Sequence, residues 1–221
     1  MTEFEKFARL GQGISSTTLH DYKKYMGKIQ PVVLEQGQLN MTAVDVFSRL
    51  MADRTIFIGD VIDSDSANVV TAQLLFLNSQ SNKPISMYIN TPGGSCLDGL
   101  QVYDTMQVIK SPVHTVATGL AASMGSILLV GGEDGCRGAL PNATIMIHQV
   151  MAGMYGQLSE MEIATKETKR IQNILYDILA ERTGKPIKQI AKDADRDKWM
   201  NAQDALEYGI IDKILTGKGI L

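Results

Sequence analysis

The chain is 221 residues long, with 44% hydrophobic and 20% charged residues, so it can bury a sizeable core as a globular protein. Its formal net charge of −3 argues against a nucleic-acid or polyanion partner. The two cysteines, Cys96 and Cys136, have neither disulfide nor metal-binding spacing. They are expected to be small buried residues in a reducing compartment.

Residues 1–30 are predicted to be a leader or flexible segment, of a kind that can be removed, ahead of a single domain at 31–221. Met1 to Lys28 is patchy and polar, which is typical of a terminal segment outside the core. Met1 to Leu10 mixes charged and apolar residues and lacks the apolar region of a secretory signal.

Strand and helix patterns alternate along the rest of the chain. Thr42 is predicted to cap a first helix and Ser64 a second. This alternation predicts a mostly parallel sheet with right-handed crossovers. The predicted strands are 55–58, 84–90, 113–118, 143–148 and 210–215, with a glycine-rich loop at 131–138, a turn at 193–198, and short helices at 186–192 and 202–208.

One predicted helix is unusually long. Ser159 and Glu162 have the spacing of a capping box, and Gly184 followed by Pro186 is a strong stop signal. A helix from Glu160 to Thr183 would be roughly 36 Å long. A small core cannot cover that length, so we expect part of this helix to project and to pack on another subunit.

The stretch from Ser111 to Gly132 has no charged side chain and is long enough to span a bilayer. It contains His114 and several serines, threonines and glycines. A buried strand followed by a buried helix explains this composition better than a membrane span.

Within this stretch, Gly119 to Gly125 has the pattern of a nucleophile elbow. Ser123 lies between small residues at 121 and 125, after a predicted strand and before a predicted helix. Such a turn exposes the serine oxygen at a helix N-terminus. The pattern on its own is more typical of an ordinary serine at a helix start.

A serine nucleophile needs a base and an acid. Of the three histidines, His148 lies at the C-terminal end of a predicted strand, where the sites of parallel sheets form, whereas His114 lies at the opposite end of its strand. Spacing alone leaves the acid open. The candidates are Asp193, Asp195, Asp197, Asp204 and Asp212.

Pro92-Gly93-Gly94 follows another predicted strand. Its glycines can turn a backbone N–H into a cleft, where it would stabilise the oxyanion of acyl transfer, or they can form an ordinary turn. The sequence contains no phosphate-binding loop motif and no metal-binding spacing. We therefore expect no metal and no cofactor in this subunit.

Several motifs then occur in one order along most of the chain. With them, the sequence resembles the ClpP family, the proteolytic subunit of the ATP-dependent Clp protease, from about Val32 to Leu215. The motifs are Tyr-Ile-Asn-Thr-Pro-Gly-Gly-Ser, Tyr-Asp-Thr-Met-Gln, Gly-x-Ala-Ala-Ser-Met-Gly-x-x-Leu-Leu, Met-Ile-His-Gln and Arg-Asp-x-x-Met-x-Ala-x-x-Ala-x-x-Tyr-Gly-x-Ile-Asp.

The resemblance implies a serine endopeptidase with Ser123 as nucleophile, His148 as general base and Asp197 as orienting acid. It implies that the backbone N–H groups of Gly94 and Met124 form the oxyanion hole. The residues that would flank bound substrate are Gly93, Ser95, Gln149 and Val150, and Arg196 matches a residue that links ring contact to the triad.

The implied fold is a crotonase-like α/β fold of stacked βαβ units with a protruding handle at about 150–183. The implied assembly is two stacked heptameric rings that enclose a chamber in the cytoplasm. Unfolded chains would be fed into it by a hexameric AAA+ unfoldase of the ClpX, ClpA or ClpC type, and ATP would be used by that partner. No nucleic acid or membrane is implied.

The sequence departs from the family pattern in four places. Val150 stands where proline is usual, and Ala152-Gly153 where Gly-Gly is common. Residues 38–42 replace a charged loop, which affects the expected axial-loop behaviour and partner choice, and residues 134–137 replace a lysine-rich stretch.

Two other classes of function stay open, and a third is disfavoured. A non-catalytic subunit of a mixed barrel is suggested by Val150 and the altered loop but opposed by the intact triad. An acyl-CoA hydratase would share the fold but needs a carboxylate pair in place of Ser-His. A signal-peptide peptidase uses a Ser-Lys pair and an anchor, which this sequence lacks.

Overall fold

The computed structural model of the chain describes residues 32–36, 41–153 and 155–217. The predicted leader at 1–30 lies outside the described residues. The chain divides into two compact units, one ending at Arg49 and the other beginning at Leu50. The prediction of a single domain at 31–221 stays a prediction.

The first unit contains an antiparallel hairpin of β1 (Val32–Gln36) and β2 (Met41–Asp45). Asp45 ends β2 and caps α1 (Val46–Ala52), because its Oδ1 accepts the N–H of Ser48 at 3.0 Å. The predicted cap at Thr42 is wrong, since Thr42 pairs within β2 opposite Glu35. Residues 38–40 of the altered loop lie outside the described residues.

The second unit is built on a sheet of seven strands. Five of them lie side by side in the order β3, β4, β5, β6, β9, and β7 pairs with β5 and with β8. Every pairing in this sheet is parallel except β7 with β8, as the prediction of a mostly parallel sheet requires. The bounds are β3 Thr55–Ile58, β4 Ile85–Thr91, β5 Val113–Ala122, β6 Arg137–Ala139, β7 Thr144–Ile147, β8 Lys198–Asn201 and β9 Lys213–Ile214.

Two of these strands were not predicted. β6 lies at the end of the predicted glycine-rich loop, and β8 follows the predicted turn at 193–198. Strands of three and four residues are too short to give a clear periodic signal.

Six helices of the second unit have well-defined boundaries. Asp63 rather than Ser64 caps α2, since the Asp63 carboxylate accepts the N–H of Ser66 at 2.8 Å. The capping box predicted at Ser159 and Glu162 lies two residues earlier in the structure. There the Gln157 N–H donates to Glu160 at the start of α5. The bounds are α2 Ser64–Gln80, α3 Cys96–Val108, α4 Met124–Val130, α5 Leu158–Thr183, α6 Ile187–Asp193 and α7 Ala202–Tyr208.

The core lies between the sheet and the helices packed on it, and α4 is at its centre. All seven residues of α4 are buried, which agrees with the interpretation of Ser111 to Gly132 as strand and core helix. In the part of the chain that the structure describes, no helix is long and apolar enough to cross a membrane.

Helix α5, which we call the handle, has 26 residues and is roughly 39 Å long. Its first 17 residues contain no buried side chain, and burial begins at Leu175. The handle ends at Gly184 with a left-handed backbone at φ 69°, as predicted. Most of the handle therefore extends beyond the core of this chain.

An ion pair ties the base of the handle to the sheet. The guanidinium of Arg137 on β6 donates to Asp212 at 2.9 Å and to the carbonyl of Arg182 in the last turn of the handle at 3.0 Å. Burial alone raises the pKa of the Asp212 carboxyl, but hydrogen bonds and charge from Arg137 outweigh it and leave that pKa below its usual value.

We expect Asp212→Asn to lower the free energy of unfolding by about 2–4 kcal/mol, because it leaves a buried guanidinium without its counter-ion. The folded-state pKa of Asp212 is lowered, so the stabilisation is complete above the unfolded-state value of about 3.9 and is lost as pH falls through the folded-state value. Urea unfolding at several pH values measures both effects.

Asp134→Asn is the matched control, because Asp134 pairs with Arg182 but its side chain is 81% exposed. We expect it to change the unfolding free energy by less than about 1 kcal/mol. A loss in Asp212→Asn that did not shrink at low pH would contradict this account.

Candidate active site

Ser123 lies at a sharp turn between β5 and α4. Its backbone has φ 54° and ψ −122°, a conformation that costs a non-glycine residue about 1–3 kcal/mol. The Ser123 N–H donates to the Met146 carbonyl at 2.9 Å, and the Ser123 carbonyl accepts the N–H and hydroxyl of Ser126 at 3.0 and 2.7 Å. These bonds hold the turn from both sides, and the side chain stands at the N-terminus of α4.

His148 lies within hydrogen-bonding reach of this serine. Its Nε2 is 2.9 Å from the Ser123 Oγ. The proximity follows from strand pairing, because β7 runs beside the end of β5 with Ala122 opposite Met146, and His148 directly follows β7.

The second described histidine, His114, lies away from the turn. His114 is at the second position of β5, nine residues and roughly 30 Å of strand from Ser123. Burial is the main cause of its lowered pKa. His20 lies outside the described residues.

Asp197 is the acid that the structure brings to His148. Its Oδ1 is 3.2 Å from the His148 Nδ1. The antiparallel pairing of β7 with β8 places Ile147 opposite Lys198, so His148 and Asp197 are the next facing pair beyond the strand ends. A cross-strand register therefore sets the distance between the two groups.

The four alternative carboxylates bind elsewhere. Asp212 pairs with Arg137, and Asp193 accepts the hydroxyl of Tyr208 at 2.9 Å. Asp204 accepts the N–H of Asn201 at 3.2 Å at the start of α7, and Asp195 lies 3.8 Å from Arg196. Of the five carboxylates that residue spacing left open, Asp197 is therefore the one that the structure places beside His148.

The side chains of His148 and Asp197 differ in exposure. The His148 side chain is 13% exposed and that of Asp197 55% exposed. The imidazole is therefore shielded on its serine side, while the carboxylate faces solvent. Such an arrangement can orient one imidazole tautomer and stabilise an imidazolium in passing.

Gly94 lies on the loop opposite the turn. Ile62 bonds to the residues on either side of it, donating to the Gly93 carbonyl at 2.9 Å and accepting the Ser95 N–H at 2.8 Å. In this parallel bridge the Gly94 N–H faces away from Ile62. Gly94 lines the same cleft as Ser123 and Met124.

Gly93 brings this loop against the turn. A Cβ atom at Gly93 would lie 2.6 Å from the Ser123 Cβ and 2.7 Å from the Ala122 carbonyl oxygen, closer than real Cβ contacts allow. The φ of Gly93 is 96°, a region that favours glycine. The close approach of the two segments therefore requires glycine at this position.

The cleft beside Ser123 has a volume of about 200 Å³. Its apolar wall comes largely from the handle and α4, through Ile127, Leu175 and Leu179. From its length, part of the handle was expected to pack on another subunit. The residue spacing of the helix gave no signal that its other end borders Ser123.

Cys96 also lines this cleft. Both cysteines are free and half-buried, so they are less buried than predicted. Burial raises the pKa of the Cys96 thiol, which keeps it protonated at neutral pH.

The other residues predicted to flank bound substrate each make a hydrogen bond. Ser95 caps α3 by accepting the Asp98 N–H. Gln149 donates from Nε2 to the Asp195 carbonyl at 2.7 Å, and the Val150 N–H donates to Gln172 Oε1 at 3.3 Å. The Arg196 side chain is 87% exposed, and its link to ring contact stays a prediction.

No group of three or more histidine, cysteine or acidic side chains among the described residues is arranged to hold a metal ion.

Comparison with known proteins decides the family. The family model described as Clp protease matches residues 36–218. The chain belongs to the Clp protease family. The predictions of this family, of a ClpP-type α/β fold with a long helix, and of an endopeptidase are thereby confirmed.

Individual relatives agree with this assignment. The chain is 51% identical to the ATP-dependent Clp protease proteolytic subunit of Porphyromonas gingivalis, over 97% of this chain and 98% of the relative. It is 49% identical to the protein of that name from Bacteroides fragilis, over 99% and 100%. It is 50% identical to proteolytic subunit 1 of Salinibacter ruber, over 84% and 80%.

We expect a fluorophosphonate probe to modify Ser123, and His148→Ala to slow that reaction by about 100-fold or more, because the imidazole accepts the hydroxyl proton. Peptide mass mapping identifies the modified residue, and a time course gives the rate. His114→Ala, the matched control, should react at the wild-type rate. Equal rates for His148→Ala and wild type would contradict the assignment of His148.

Proposed function

We propose that this chain is the proteolytic subunit of an ATP-dependent Clp protease that hydrolyses unfolded proteins to short peptides in the cytoplasm. The observation that carries the proposal is the pair of contacts that link Ser123 Oγ, His148 and Asp197 at 2.9 and 3.2 Å. The relatives described above, which are named ATP-dependent Clp protease proteolytic subunit, support it.

The first half of the reaction is acylation of Ser123. The Ser123 Oγ attacks the peptide carbonyl carbon while His148 Nε2 takes the hydroxyl proton. The carbonyl oxygen becomes an oxyanion, which the N–H groups of Gly94 and Met124 stabilise. The C–N bond then breaks as His148 returns the proton to the leaving amine.

The second half is hydrolysis of the acyl-enzyme. Water attacks the ester carbonyl, His148 accepts a proton from that water, and the same two N–H groups hold the second oxyanion. Collapse of the intermediate breaks the bond to Ser123 Oγ, which regains its proton from the imidazolium. The acid fragment leaves, and the site returns to its starting state.

Asp197 keeps the imidazole ready for both steps. Its carboxylate accepts the Nδ1–H of His148, so Nε2 is the free acceptor that faces Ser123. When Nε2 is protonated, the nearby negative charge stabilises the imidazolium. Because Asp197 is exposed, this stabilisation depends on closure of the site by substrate or by a neighbouring subunit.

The apolar wall of the cleft favours substrates with apolar side chains next to the scissile bond. Ile127, Leu175 and Leu179 line the space beside Ser123, and burial of an apolar side chain against them contributes about 25 cal/mol per Å². Short peptides would enter unaided, whereas folded proteins would first have to be unfolded.

Use of ATP is assigned to a separate partner, a hexameric AAA+ unfoldase. The chain contains no phosphate-binding loop motif, while its relatives are named ATP-dependent. The unfoldase would feed chains into a chamber enclosed by two stacked heptameric rings of this subunit.

The handle is the element that would join the two rings. Its N-terminal part exposes apolar side chains that a single copy leaves in water, among them Leu158 and Ile163, which are 71% and 70% exposed. A second copy would cover this surface. Arg196, close to Asp197 and fully accessible, would carry ring contact to the triad.

We expect Ser123→Ala to abolish hydrolysis of a fluorogenic peptide, with at least about a thousandfold loss, because no nucleophile remains. Its mass in solution should equal that of the wild type. Ser64→Ala, which alters an exposed serine at the start of α2, is the matched control and should keep full activity. Hydrolysis that survived in Ser123→Ala would exclude the serine peptidase.

We expect Ile163→Asp to halve the particle mass measured by light scattering, because a carboxylate at the handle surface opposes ring pairing. Ile163→Val keeps the apolar surface and should retain the wild-type mass. A double-ring mass for Ile163→Asp would show that this part of the handle lies outside the ring contact.

A further inference from the structure

The segment that follows His148 lies outside the sheet. β7 ends at Ile147, and residues 148–153 belong to neither a helix nor a strand. Among the described residues after His148, two hydrogen bonds that involve a side chain hold this segment. Gln149 Nε2 donates to the Asp195 carbonyl at 2.7 Å, and the Val150 N–H donates to Gln172 Oε1 at 3.3 Å.

Gln172 lies where the handle meets the body of the protein. The preceding residues of the handle are mainly exposed, and Leu175 and Tyr176, three and four positions later, are buried. Residues three and four apart share a helix face, so Gln172 belongs to the face that packs on the catalytic unit. Among the described residues, Gln172 is the first handle residue on this face that bonds to the segment at 148–153.

The two bonds form a continuous chain of contacts. The handle holds Val150 through Gln172, the adjacent Gln149 holds Asp195, and Asp195 lies two residues before Asp197. A shift of the handle would therefore move the backbone on both sides of the imidazole. Reaction rates fall steeply when reacting groups are misplaced by about 1 Å.

We propose that Gln172 is a positioning residue that couples the handle to the catalytic histidine through the Val150 N–H. The inference rests on the proposed function, since it deepens the account of the same site. Val150 is essential to the link, because proline, the usual residue at this position in the family that the sequence resembles, has no N–H to donate.

Substitutions at either end of the bond test the proposal by peptide hydrolysis. Gln172→Ala and Val150→Pro each remove one partner, and we expect each to lower kcat by roughly threefold to tenfold, the effect of one hydrogen bond. For Gln172→Ala, KM should change by less than about twofold, because Gln172 is not among the residues that line the cleft, whereas Val150 is. Gln172→Glu keeps an acceptor oxygen and should retain most of the wild-type kcat.

A double variant separates positioning from general destabilisation. If both residues act through one bond, Gln172→Ala with Val150→Pro should be no slower than either single variant. Asn173→Ala, an exposed neighbour on the handle, should match the wild type. Losses that multiply in the double variant, or a wild-type kcat in Gln172→Ala, would overturn the proposal.

Hydrogen exchange gives a readout that does not depend on activity. The Val150 amide should exchange about tenfold faster in Gln172→Ala than in wild type or Gln172→Glu. Unchanged exchange would overturn the link even in an active enzyme. A wild-type protein without Ser123-dependent hydrolysis would instead refute the proposed function, and exchange would still decide whether the bond exists.

Discussion

The left-handed backbone of Ser123 is the constraint around which the site is arranged. A residue in this conformation persists only when its surroundings impose it. Here the Met146 carbonyl, the side chain of Ser126 and the absence of a side chain at Gly93 together impose it. The same contacts place the Met124 N–H at a helix start and His148 beside the Ser123 hydroxyl, so one strained residue organises the candidate site.

Much of the fold could be predicted from sequence because local pattern and tertiary environment agree. β3, β4, β5 and β7 are apolar runs bounded by turn residues, and the handle has strong periodicity and a glycine stop. The predicted helix caps were wrong where several neighbouring polar residues could cap the same helix. Asp63 directly precedes Ser64, and its carboxylate caps α2 in place of the predicted Ser64 hydroxyl. The short strands β6 and β8 exist through their neighbours rather than through their own propensity.

The residues of the candidate site also fall into two groups, those with a local signal in the sequence and those placed only by the folded structure. Ser123 and His148 could be found from a turn motif and a strand end, since both signals are local. Asp197 could not be chosen from spacing, because its role arises from an antiparallel pairing that only the folded sheet defines. Gln172 and the handle residues that line the cleft were missed for a similar reason. Helical spacing tells which residues share a face but not what that face meets.

The register between β7 and β8 has a consequence for how this chain can vary. Side chains alternate between the two faces of a strand, so one inserted residue in β8 would turn the carboxylate at 197 away from the imidazole. A change of residue type in β8 leaves that alternation intact. Substitutions in Lys198–Asn201 therefore keep the register with β7, whereas insertions or deletions there would break it.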